Sequence, residues 1–335
     1  MTRVTSHHQF PTLLLVAIIV IVTPLIAHKA FWIDNSILFA IFSLFTISVG
    51  MSYGQAGILS MATGAFAAIG GYASAILATH YGVSPYLGAL FSILLPALLA
   101  YPVARIVTRL SPLPLSIATL VLGSIIEIAI REGGDLTGGY IGLSGIPPIP
   151  IAATPLSMHV FAWTCVVIVI FIYCNLIHSA FGRAVTTIRH DALRAVADGV
   201  NVPSVLAILF AISAAVAGLG GWIYAHNLSY LGPDSLNTAV SMQVLLMAIV
   251  GGVRKPLGPV VGASLLLMIV SQLPAAETQG MVFGGTLILI LLVAPQGLIG
   301  SPWWRLRQQG GKARRTGVRP EVDSTPVIPV GTGES

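Results

Sequence analysis

Apolar residues run in long blocks along this chain, separated by short polar segments. Ten blocks reach or approach the roughly 20 residues that a helix needs to cross a bilayer. They are residues 11–27, 36–53, 58–79, 86–104, 112–130, 159–177, 204–226, 237–253, 257–273 and 281–299. Backbone groups in lipid must bond within their own segment, so each block is predicted helical. The expectation is an all-α polytopic membrane protein with about ten transmembrane helices. Three blocks are less regular. Block 58–79 is Gly-rich and open to a break. Blocks 237–253 and 257–273 are short and joined by only Arg254, Lys255 and Pro256, so they also fit a re-entrant pair.

Composition agrees with the pattern. Of 335 residues, 56% are hydrophobic and 8% charged, where soluble domains run near a quarter charged. A single water-soluble core in a chain of this length cannot absorb that much apolar surface. Cys165 and Cys174 lie nine residues apart in one apolar block, so they cannot meet as a disulfide. Residues 1–304 read as the transmembrane domain. Residues 305–335 are polar, basic and rich in Gly, Pro and Thr, and are predicted to be a disordered cytoplasmic tail that anchors to lipid headgroups.

Charge placement orients the chain. With ten spans and both termini inside, fourteen of the sixteen Lys and Arg fall on the inner side, leaving Lys29 and Arg131 outside. Cytoplasmic segments carry such an excess. The positive balance is therefore no nucleic-acid signal, and no aromatic-interleaved basic patch appears. The first block has a rival reading as a signal peptide, with Arg3 before it and Ala27 and Ala30 after it. Thr23 and Pro24 interrupt the block and favour a retained span.

Two loops are long. Residues 131–158, outside, hold Thr137, Gly138 and Gly139 in a run of turn-forming glycines and prolines. They read as a surface connection or as a gating element at the outer mouth. Residues 178–203, inside, place Val185, Ile188, Ala192, Ala195 and Val196 at helical spacing. That predicts one amphipathic helix too short to span, with Asp191 and Arg194 able to pair at i, i+3 and Gly199 as its stop. Such a helix lies on headgroups or enters a partner's groove.

Within the blocks the one acid is Glu127, four residues before Arg131. An ionisable group at that depth is a functional candidate, against a plain helix-end pair with Arg131. His226 and Asn227 end the seventh block at the same level, where they would be able to face Glu127. Small residues recur four apart at Gly50 and Gly54, Gly64 and Ala68, Gly70 and Ser74, Ala214 and Gly218, and Gly258 and Gly262. Tight helix packing is the expected role, with a backbone-lined path as the alternative. Phosphate-loop, H-E-x-x-H and C-x-x-C motifs are all missing. Catalytic residues, metal ligands and cofactors are accordingly not expected, and the chain reads as a transport subunit driven by something else.

Ordered fragments from Ser48 to Gly300 carry a resemblance. They include Tyr53-Gly54-Gln55-Ala56-Gly57-Ile58-Leu59-Ser60, Leu136-Thr137-Gly138-Gly139, Phe181-Gly182-Arg183-Ala184, Gly199-Val200-Asn201, Gly258-Pro259-Val260-Val261-Gly262 and Ala294-Pro295-Gln296-Gly297-Leu298. The chain resembles the LivM-type permease subunits of branched-chain amino acid ABC transporters. That family tends to carry an acid just after the glycine matching Gly123; here the place is Ser124, and the acid is Glu127. The resemblance implies a multi-pass protein of the bacterial inner membrane. Its implied partners are a second homologous permease, two cytoplasmic ATPases that hydrolyse ATP, and a periplasmic substrate-binding protein, with import by alternating access. It makes the inner helix a coupling element, with Gly182, Arg183, Arg189, Asp191 and Gly199 as its residues. Glu127, Thr137, Gly138, Gly139, His226 and Asn227 become candidates for the substrate path or outer gate. Spans two to five and seven to ten start on opposite sides and form a candidate inverted repeat. Rival readings are the same machinery for urea or another small solute, a self-sufficient secondary carrier or channel, and a membrane-embedded enzyme.

Overall fold

The computed structural model describes residues 9–272 apart from 28 and 109, together with 284–286, 288, 292, 297 and 298. Helices dominate it. The series is α1 (Phe10–Ile26), α2 (Ala30–Val49), α3 (Thr63–Tyr81), α4 (Pro85–Val107), α5 (Pro112–Arg131), α6 (Pro155–His178), α7 (Ala180–His190), α8 (Ala192–Ala197), α9 (Val202–Leu228), α10 (Thr238–Gly251) and α11 (Gly258–Ser271). The strands described are the two-residue β1 (Leu143–Ser144) and β2 (Tyr230–Leu231), paired antiparallel. Five helices are long and apolar enough to cross a membrane, with shorter apolar helices beside them. The chain is an all-α polytopic membrane protein.

Lipid-facing stripes follow the helical period. On α4, Leu87, Leu90, Phe91, Leu94 and Leu98 are exposed; on α5, Leu113, Ile117, Val121, Ile125 and Ile128 are. Large apolar side chains three and four apart form one face of each helix. α3 is built differently. It is wrapped by α4 and α9, and Ala65, Ala67, Ala68, Gly70, Gly71, Ser74 and Ala75 are all buried. A helix enclosed by protein needs close approach more than greasy bulk.

Glycine sets that approach. A Cβ on Gly70 would strike the backbone of Gly218, one on Gly218 the Ser92 carbonyl, and one on Gly221 the Ala67 carbonyl. Ser92 Oγ donates to the Gly70 carbonyl at 2.5 Å across the α3–α4 contact. The same device joins α10 to α11 through Gly251, Gly258 and Gly262. The small residues spaced four apart are thus packing positions.

α2 does not stop at Val49. It continues as a π-helical turn over Gly50–Gln55, and the chain then runs without regular structure from 57 to 62. A wider turn frees backbone groups from the ladder. Tyr173 meets this need: its hydroxyl donates to the Gly50 carbonyl at 2.9 Å and accepts from Gln55 Nε2 at 3.0 Å. The predicted third span therefore begins five residues late. Its break lies before the helix rather than inside it.

α10 and α11 have 14 residues each, about 21 Å of helix, against about 30 Å of hydrocarbon. Gln272 caps α11 at one end, whereas Gly297 packs against Gly252 and Leu298 N–H bonds the Val250 carbonyl near the other. The tenth block and the tail at 305–335 otherwise lie outside the described residues.

The loop at 178–203 corrects one expectation. Its single amphipathic helix is two, α7 and α8, broken where Asp191 is extended at φ −156° and ψ 102°. Val185, Ile188 and Ala195 are buried. Leu193 and Val196 are exposed.

Candidate functional site

Two helices begin inside the bundle with their N-termini together. α3 starts at Thr63 after the irregular 57–62 segment, and α10 starts at Thr238, where the Asn237 side chain accepts the Val240 N–H at 3.1 Å. The Gly64 N–H donates to Ser241 Oγ at 2.9 Å. A Cβ on Gly64 would lie 2.7 Å from Ser241 Oγ and 2.8 Å from the Asn237 carbonyl. Only glycine lets the two ends meet this closely. Each end carries the positive pole of its helix.

α5 forms the third wall. Thr119 Oγ1 accepts the Met61 N–H at 3.0 Å, and Ser116 Oγ donates to the Leu59 carbonyl at 3.2 Å. These hydroxyls hold the non-helical segment that precedes α3. Midway along α5, a Cβ on Gly123 would have 3.6 Å to Thr238 Oγ1 and 3.7 Å to the Met61 carbonyl. Gly123 therefore faces both broken ends. Ser60, Thr63, Ser116, Thr119 and Ser241 are all buried in this seam. The arrangement offers hydroxyls, N–H groups and a fixed positive potential, which suit a carboxylate or another polar group passing in transit.

Glu127 closes the seam at one end. Its Oε2 accepts the Thr238 N–H and hydroxyl, both at 3.3 Å, so the carboxylate sits on the positive pole of α10. Its Oε1 pairs with Arg131 at 2.9 Å, and Arg131 also reaches Asp234 at 2.6 Å. The helix-end pair is present, and Glu127 does more than make it: it joins α5 to the start of α10.

The other residues expected at this mouth lie in the adjoining loop and helix end. Thr137 Oγ1 donates to the Ile130 carbonyl at 2.7 Å, capping the end of α5. Gly138 and Gly139 have φ +73° and +54°, a turn that L side chains resist. His226 does not face Glu127. Its Nδ1–H donates to the Pro147 carbonyl at 2.7 Å, and its Nε2 accepts from Ser74 at 2.7 Å. The histidine pins the loop at 131–158 to α3 and α9. Asn227 lines a separate cleft with Asp34, Pro148 and Met158.

At the opposite end of the bundle, α7 tucks beneath α6. Ser179 caps it by accepting the Gly182 N–H at 3.2 Å, and a Cβ on Gly182 would strike the Ile177 and Leu176 carbonyls. Arg183 is exposed, with a 3.3 Å bond to the His178 carbonyl. Asp191 does not pair with the Arg194 side chain. Its carboxylate caps α8, accepting the Leu193 and Arg194 N–H groups at 3.0 Å each. An extended residue at a helix start directs its side chain to those amides instead. Gly199, at φ +79°, ends α8: Val200 N–H bonds Ala195 O at 2.9 Å and Gly199 N–H bonds Val196 O at 3.0 Å. Arg189 is half-buried, and its pKa is lowered by that burial and by Arg254 in the α10–α11 loop. The ion pairs among the described residues all involve Arg131 at the other end. Arg189, Arg194, Arg254 and Lys255 thus present charge without an acid partner within the described residues.

A family described as the branched-chain amino acid transport system permease component matches residues 31–291. The chain belongs to this family. The match runs from α2 through α11, so it takes in the seam, its Glu127 closure and α7–α8 together. The LivM permease of the high-affinity branched-chain amino acid transport system of Salmonella typhimurium is 26% identical over 315 residues, covering 84% of this chain and 73% of the relative. Its Escherichia coli K12 counterpart is 26% identical over 311 residues with the same coverage. The LivH permease of E. coli K12 is 31% identical over 129 residues, 37% of this chain and 41% of the relative. No solved structure matches. Family membership and the apolar helices make this a multi-pass transport permease of the inner membrane.

The seam was missed in the sequence. Its residues come from 57–64, 116–127 and 237–241, and no local motif joins them. The signal that was available was Gly123, small where its surrounding block is large.

Proposed function

We propose that this chain is one of two permease subunits of an ATP-driven importer of branched-chain or other hydrophobic amino acids. The observation that carries the reading is the seam where α3 and α10 begin face to face. It supplies hydroxyls and the positive pole of α3, since Glu127 covers that of α10, to a substrate carboxylate. A path of this kind holds a zwitterion weakly, which favours release. Specificity then rests with a periplasmic binding protein that docks on the end bearing residues 131–158. Glu127 with Arg131 forms the outer gate, steadied by Thr137, Gly138, Gly139, His226 and Asn227.

Two cytoplasmic ATPases engage α7 and α8 and drive alternating access, with Arg183, Arg189 and Asp191 at the contact and Gly182 and Gly199 shaping it. Both termini are inside, ten spans cross the bilayer, and residues 305–335 form a basic tail on the inner surface. α2–α5 and the segments from α9 onward are related as an inverted repeat. Each half has a helix that starts within the bundle, α3 in one and α10 in the other.

The test is a pull-down of the chain from detergent-solubilised native membranes, with partners identified by mass spectrometry. A second permease and two ATPases are expected, and the ligand of a co-purified binding protein names the substrate. Recovery of the chain alone, with ATP-independent uptake in liposomes, would replace this reading with a secondary carrier.

A further inference from the structure

On the flank of the bundle, away from the seam, α1, α2, α6 and α11 enclose a cleft of about 550 Å³. Its walls are almost wholly apolar, among them Leu15, Val22, Ile26 and Met268. Along α1 it runs from Leu15 to Ile26, about 17 Å at 1.5 Å per residue. That is roughly half of a 30 Å hydrocarbon core, the depth of one leaflet.

One end of the cleft is chemically distinct. Ile26 and Trp32 line it, and Lys29 lies between them in sequence, in the turn that joins α1 to α2. The Lys29 N–H bonds the Ile26 carbonyl, and the Trp32 N–H bonds the Lys29 carbonyl. Lys29 is exposed and makes no ion pair among the described residues. A Trp and a Lys together mark the level of lipid headgroups. His159 lines the same cleft and is 2% exposed. Thr23 Oγ1 donates to the Ile19 carbonyl at 2.7 Å, so it accepts from His159 Nε2–H at 3.1 Å. The ring then leaves Nδ1 as a buried acceptor without a partner.

We propose that the cleft is a binding site for one phospholipid, with an acyl chain along α1 and the phosphate on Lys29. Length, apolar lining and a cation at one end match a lipid held by one leaflet, and match a water-soluble solute poorly. The lipid fills the gap between α1 and α11 and fastens α1 to the bundle.

The experiment is native mass spectrometry of the full-length chain, purified from phosphatidylethanolamine and phosphatidylglycerol membranes and washed in detergent. The wild type is expected to retain one phospholipid. Val261→Trp, which fills the cleft from α11, should abolish retention. Lys29→Glu, at an exposed position that leaves folding intact, should lower it about fivefold, the worth of one Lys at a phosphate. Equal retention by all three forms, or none by the wild type, would overturn the site. So would efficient cross-linking of Val22→Cys to cysteines placed along 281–299, which would show the chain filling its own cleft.

Discussion

Glu127 is one acid with three duties: it pairs with Arg131, accepts from Thr238 and covers the pole of α10. Glu127→Ala leaves the Thr238 N–H and hydroxyl without their carboxylate acceptor, with Asn237 still capping α10, and leaves Arg131 with Asp234 alone. A loss of about 1–3 kcal/mol is expected, read as a lower melting temperature in detergent. Glu127→Gln should recover part of the stability, because an amide oxygen still accepts from Thr238. If both variants melt like wild type, the capping account is wrong. Gly221 tests the packing account. Gly221→Val drives a side chain into the Ala67 backbone, and overpacking of 1–3 kcal/mol or more is expected. Gel filtration and melting read the outcome, with Gly57→Ala as a control for added bulk: a Cβ there meets nothing, though φ is +75°.

At the scale of elements, α8 is a six-residue helix that survives through its ends. Asp191 caps its start and Gly199 its finish. Helices this short are unstable alone, so Asp191→Ala should cost about 1 kcal/mol locally. Gly199→Ala should cost about 1–2 kcal/mol through the left-handed backbone. Hydrogen exchange at residues 192–198 should rise in both. If the ATPases dock here, substrate-stimulated ATP hydrolysis should fall while the helices of the bundle keep their protection. Unchanged exchange would mean that contacts with α7 and α9, rather than the caps, hold α8.

Elements were legible to different degrees. The long helices were readable because lipid-facing stripes on α4 and α5 must be continuous and large. Block 58–79 was readable as irregular, but its break was misplaced, since the hydroxyls that hold residues 59–61 outside a helix belong to Ser116 and Thr119 on α5, far along the chain. The inner amphipathic pattern was real. Periodicity does not register a cap, so the division at Asp191 went unseen. Gly138 and Gly139 were readable as a turn, and His226 was not readable as a pin, because Ser74 and Pro147 are far from it in sequence.

At the scale of the whole molecule, charge is segregated. Ion pairs gather at Arg131, while the end bearing α7, α8 and the α10–α11 loop shows unpaired cations within the described residues. Cysteines placed at two exposed positions test the proposed orientation: Ile141→Cys and Leu193→Cys. In intact spheroplasts a membrane-impermeant thiol reagent should label Ile141→Cys and reach Leu193→Cys only after lysis. The native Cys165 and Cys174 are in the membrane helix α6 and should stay unlabelled. The reverse pattern would invert the topology and move the proposed ATPase contact to the wrong side.

Membership in a lipid-embedded class follows from composition and block length, because hydrocarbon sets a length and a polarity that a chain must meet residue by residue. The glycine spacings and the order of the family's fragments follow from the chain as well, since each is local. The functional seam needed three dimensions. Ser60, Thr119, Glu127, Thr238 and Ser241 converge only because α3 and α10 begin inside the bundle and α5 lies across both starts. Their meeting is a property of how helices pack, and packing depends on shape at contacts between residues that a one-dimensional pattern holds far apart.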